Sequence, residues 1–123
     1  MTANKPKLGA WTPEENEIIA LSYLDMLRRE LRGDKFNKAA NRREGLATMA
    51  LVRADNAERS HGSWEMKCCN VSAVMRAAGL PWVNGYKPLG HGQAKPLATA
   101  LACAALAHGW DDNYVIALEK AAR

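Results

Sequence analysis

A chain of 123 residues has the length of one domain built around one hydrophobic core. Its 48% apolar and 24% charged residues exclude a disordered chain, and a charge of +4 with an isoelectric point near 9.1 suits an acidic partner without requiring one. Only 7% of residues are aromatic and much of the apolar count is alanine, which favours close-packed helices over sheets.

In chain order, residues 1–10 are polar, carry Pro6 and Gly9, and read as a flexible leader before a single helical domain over 11–123. Thr12-Pro13-Glu14-Glu15 predicts a helix start, with Thr12 as cap, Pro13 in the first turn and Glu15 closing a capping box. Ala20, Tyr23, Leu24, Leu27 and Leu31 recur at helical spacing and predict its buried stripe, which Gly33 ends. Asp34 is the expected cap of a second helix running to Val52, with Leu46, Met49 and Ala50 turned inward. Lys35, Lys38 and Arg42 would share its outer face, beside Arg43.

Residues 53–63 are polar and read as a loop, and Trp64–Lys67 alternates, as either a short strand or a helical turn. Val71, Val74, Met75 and Ala78 predict a helix capped by Asn70 and stopped by Gly79-Leu80-Pro81. A short helix, a turn and that helix would make an element like a helix-turn-helix, in which Asn70, Ser72 and Arg76 reach base edges. The plainer reading makes Asn70 a cap only and puts Ser72 in the first turn. Residues 82–95 hold Gly85, Gly90, Gly92 and Pro88 and form an irregular loop. An alanine-rich helix follows from Pro96 to His108, with Cys103 in the core, and Asp111 caps a last helix. The fold expected is therefore all-α or mainly α, a bundle of about five helices with a Gly/Pro-rich loop.

Cys68, Cys69 and Cys103 are odd in number and two are adjacent, so buried thiols in a reducing, cytoplasmic setting are expected rather than disulfides. Their spacing with His61 and His91 does not suit a zinc finger, and no metal or cofactor is expected. No apolar run reaches the length of a membrane span.

Arg59–Met75, with Gly79-Leu80-Pro81 and Gly85-Tyr86-Lys87-Pro88 after it, resembles a domain found at the front of some bacterial HNH-type, restriction-like endonucleases. Trp11, Glu14, Tyr23, Met26, Glu30, Asn37-Lys38 and Arg42-Arg43 also match, so the resemblance covers about residues 11–95. Cys68 and Cys69 stand where that pattern carries His-Gln. The resemblance implies a module that handles DNA for a restriction, defence or related system. No His-Asn-His constellation follows residue 95 within these residues, so the nuclease part itself is not expected here.

The function expected is DNA binding without catalysis. The second helix, through Lys38, Arg42 and Arg43, and the loop, through Tyr86, Lys87, His91 and Gln93, would track phosphates, with Tyr86 stacking on a base. Asn70, Ser72 and Arg76 complete the expected contacts. Tyr86 reads equally as the anchor of the loop, and the charged helix face, taken alone, reads more readily as a solvated one. A domain that docks on a protein effector or nuclease subunit is the alternative. A second alternative, a metal-dependent nuclease using Asp55, Glu65 and Lys67, needs carboxylates on adjacent strands, and a helical chain has no sheet to supply them.

Overall fold

Helix α1 starts as the sequence directs. The Thr12 hydroxyl accepts from the Glu15 N–H at 3.2 Å, and the Glu15 carboxylate accepts from the Thr12 N–H at 3.1 Å, so two N-terminal donors are satisfied reciprocally. The computed structural model describes residues 8–90 and 94–123. Within them are α1 (Pro13–Arg32), α2 (Lys38–Val52), α3 (His61–Ala77), α4 (Ala94–Ala107) and α5 (Asp112–Ala121), and no strand. The all-helical class is as expected.

At the end of α1, Gly33 adopts a left-handed conformation, φ 77°, and its N–H donates to Glu30 O. Asp34 N–H reaches back to Arg29 O at 2.9 Å. Asp34 is thereby used in ending α1, and Asn37, not Asp34, caps α2 by accepting from Ala40 N–H at 3.0 Å.

The largest correction concerns α3. It begins at His61 behind a Ser60 cap and runs unbroken to Ala77. Trp64–Lys67 is helical, as the second of its two readings had it, but within a longer helix; Asn70 is no cap, and no turn divides the segment into a helix-turn-helix. Trp64, Cys68, Val71 and Met75 are all buried and lie on one helical stripe, which supplies the drive to continue the helix.

α1 lies at the centre and packs against α2, α3 and α4, while α4 covers α1 and α5. The core joins Ile19, Tyr23, Met26 and Leu27 of α1 to Met49, Trp64, Val71, Met75, Leu97 and Leu101. Alanines 98, 104 and 105 let α4 approach closely. Two expected core residues lie outside: Leu31, half-exposed on the last turn of α1, and Cys103, on the solvent side of α4. Gly45 of α2 meets the indole of Trp64 so closely that a Cβ there would lie 2.2 Å from the ring. This contact fixes how near α2 comes to α3.

The described end of the leader is tied down. Arg59 donates to the carbonyls of Gly9 and Ala10, each at 3.2 Å, and its guanidinium lies 4.8 Å from the centroid of the Trp11 ring. The fixed structure thus begins before residue 11.

Candidate nucleic-acid interface

Two of the basic segments singled out in the sequence, the start of α2 and the Gly-Tyr-Lys-Pro loop, are neighbours in space. Lys38, in the first turn of α2, donates from Nζ to Asn84 O and sits 5.0 Å from the centroid of the Tyr86 ring. Gly85 makes that approach feasible. Its φ is +93°, and a Cβ would lie 2.3 Å from Lys38 Nζ. α2 carries no acidic residue in its first turn, so the positive end of its dipole stands unopposed beside Lys38, Arg42 and Arg43.

The loop is pinned from below. Val83 N–H donates to the Tyr23 hydroxyl at 2.8 Å, and that hydroxyl lies 2.7 Å from Ser72 Oγ. Asn84 N–H donates to the Glu30 carboxylate at 3.0 and 3.1 Å. Farther on, Leu89 N–H donates to Cys69 O at 3.1 Å, and Asn70 Nδ2 donates to Leu89 O. Asn70 and Ser72 are 4% and 0% exposed, so they are loop anchors inside the fold and present nothing to a base.

Tyr86 is likewise an anchor. It is 2% exposed, its ring centroid is 6.4 Å from that of Tyr23, and its face is covered by Lys38. It has no face left for a base, and the stacking expected of it is replaced by support. Burial pushes its hydroxyl well above the usual tyrosine range. The hydroxyl lies beside Cys68 and Trp64, and it and the indole N–H of Trp64 lack a hydrogen-bond partner among the described residues. Burial also raises the thiols of Cys68 and Cys69, so neither is an activated nucleophile.

At the surface remain Lys38, Arg42, Arg43 and Lys87. Lys38 and Arg42 are half-buried and one turn apart, while Arg43 and Lys87 are exposed. Arg42 Nη1 lies 3.1 Å from His61 Nε2, and that same nitrogen lies 3.1 Å from Glu65 Oε1. Arg76 is exposed but lines a different cleft of about 280 Å³ with Asn70, Gly90 and Leu97. His91 and Gln93 lie outside the described residues.

Arg53, Arg59 and Lys67 lie in a charge cluster around Glu15 that sequence reasoning missed. Arg59, 7% exposed, clamps the fully buried Glu15 carboxylate with bonds of 2.6 and 2.9 Å, and Arg53 approaches it at 3.4 Å. Burial alone would raise the Glu15 carboxyl. The Arg59 and Thr12 hydrogen bonds, with the charges of Arg59 and Arg53, hold it below its ordinary value instead. Lys67, 2% exposed, lies 5.2 Å from the Trp11 ring centroid, and burial and the Arg59 charge push its amine down to about 8. The visible signal was Glu15 in the capping box, which spacing could not show to be buried.

The three residues of the nuclease alternative do not converge. Asp55 is held by Arg53 through two bonds of 3.0 Å, Glu65 faces His61, and Lys67 lies under Trp11, on another side of the same helix as Glu65. Among the described residues no group of three or more His, Cys, Asp or Glu is placed to hold a metal ion. No helix among them is long and apolar enough to cross a membrane. No family model, no curated protein and no solved structure matches the chain.

Proposed function

We propose that the protein is a DNA-binding module that tracks the phosphate backbone with the face formed by the start of α2 and residues 84–87. One observation carries the reading: Lys38 bonds to Asn84 and covers Tyr86, so two basic segments distant in sequence form one surface. Lys38, Arg42, Arg43 and Lys87 are its phosphate contacts, supported by the N-terminal dipole of α2. Tyr86, Asn70, Ser72 and Tyr23 hold the loop in register and touch no nucleic acid. With its cations aimed at phosphates, the face binds with weak sequence preference. The resemblance to domains that precede restriction-like nucleases fits this reading and suggests service to a DNA-processing or defence system.

The test is a titration of labelled duplex DNA at several salt concentrations. Affinity should fall linearly on a log–log plot, with a slope near −0.9 per phosphate contacted, thus about −3 to −4 for these cations. Absence of binding at low salt would refute it. A protein-docking role is the second reading, favoured by adjoining grooves of about 200 and 320 Å³ that share Leu21 and Asp25.

A further inference from the structure

We propose that His61 and Glu65 gate Arg42, so that protonation of His61 releases the Arg42 guanidinium to the surface; the consequence for DNA rests on the reading above, whereas the gate itself does not. The geometry is one nitrogen claimed by two opposite partners. His61 Nε2 lies 3.1 Å from Arg42 Nη1 and 3.1 Å from Glu65 Oε1. A ring nitrogen has a single in-plane position, filled by a lone pair or by a hydrogen. With the lone pair there, Nε2 accepts from Arg42, which donates only. With a hydrogen there, Nε2 donates to Glu65 and no longer has anything to offer Arg42.

The neutral ring offers the accepting state only in its Nδ1–H tautomer, and protonation removes that state altogether. Imidazolium is a donor at both nitrogens, so it pairs with Glu65 and repels the guanidinium. Histidine is the side chain whose unperturbed charge change falls between about pH 5 and 8. The charged groups facing the imidazole are Arg42 from α2 and Glu65 one turn along α3. Lys38, one turn before Arg42, bonds to Asn84 and lies over Tyr86, and no bond joins it to His61. Arg42 is therefore the cation that the imidazole controls. Because Arg42 belongs to the proposed phosphate face, binding should tighten as pH falls, through a released Arg contact and not only through the added imidazolium charge.

Two measurements test this. In the free protein, the Arg42 Nε–H and the His61 ring are followed by NMR across the pH range. Both should move with one midpoint. Arg42 should be flat in His61→Gln. An Arg42 signal that ignores the titration of His61 overturns the gate. In the second, a short fluorescein-labelled duplex is titrated at fixed ionic strength. Wild-type affinity should rise about threefold to fivefold toward low pH, the scale of one exposed ion pair. Arg42→Ala should remove most of that rise. A rise undiminished in Arg42→Ala means that His61 acts by its own charge, and the gate is wrong. Matched titration of Arg42 and His61 without duplex binding at any pH supports the gate and refutes the DNA reading.

Discussion

Replacing Gly45 by alanine should destabilise the protein, although the same change in an exposed helix stabilises. Gly45 lies in the interior of α2, where alanine gains about 1 kcal/mol from propensity and reduced unfolded-state freedom. Against this, its Cβ would lie 2.2 Å from Trp64 Cη2 and 2.5 Å from Cζ3. Carbon atoms rest about 3.5–4.0 Å apart, so the ring or α2 must retreat by roughly 1.5 Å. Trp64 is fully buried and cannot swing into solvent. Overpacking of this kind costs about 1–3 kcal/mol, and a displacement this large belongs at the upper end. The net expectation is a loss of about 2 kcal/mol. Urea denaturation measures it as a lower midpoint with an unchanged m-value. Gly62→Ala is the control, because nothing lies within 4 Å of a Cβ there and it sits in the first turn of α3. It should be neutral or stabilising. A Gly45→Ala variant as stable as wild type would show that α2 and α3 are not held at this distance, and with it the placement of Arg42 beside His61 would fall.

The remaining predictions concern the buried charge and the loop anchor. Glu15→Gln leaves Arg59 without its carboxylate and should cost about 3 kcal/mol, the low end for a broken buried pair because Arg59 keeps the Gly9 and Ala10 carbonyls. The folded-state Glu15 carboxyl lies below its ordinary value of 4.5, so its contribution is present above that value and lost as pH falls through the folded one. Thermal melts from neutral to acid pH should fall more steeply in wild type than in Glu15→Gln; parallel curves would refute the assignment. Tyr86→Phe removes a hydroxyl with no hydrogen-bond partner among the described residues and should stay within about 1 kcal/mol of wild type, whereas Tyr86→Ala should cost about 3–5 kcal/mol. A Tyr86→Ala variant that melts like wild type yet loses DNA affinity would restore the stacking role.

The parts of the fold that were legible in the sequence are those dictated locally. The Thr12–Glu15 capping box, the Gly33 stop and the stripe from Ala20 to Leu27 each depend on neighbours within one or two turns. The start of α3 was hidden because Lys67, Asn70 and Ser72, polar residues buried by tertiary contacts, interrupt its apolar pattern. The Trp64, Cys68, Val71, Met75 spacing could have revealed it. Similarly, Asn70 and Ser72 carry polar side chains suited to bases, and only the three-dimensional path of residues 83–89 shows them bonded to the loop and to Tyr23. Tyr86 was undecided between contact and anchor, and burial decides for anchor. The sequence singled out two segments, 38–43 and 84–93, as candidate contacts. That they adjoin depends on Lys38 reaching Asn84 across α2 and the loop.

The most direct measurement of the central claim is an amide NMR map of the protein titrated with duplex DNA. Shifts should concentrate at residues 37–43 and 84–88 and collapse with added salt, while the Gly9–Trp11 and Arg59 region and the outer face of α5 stay still. Saturable shifts centred on the Leu21–Asp25 grooves or on α5, with 37–43 and 84–88 unmoved, would contradict the account.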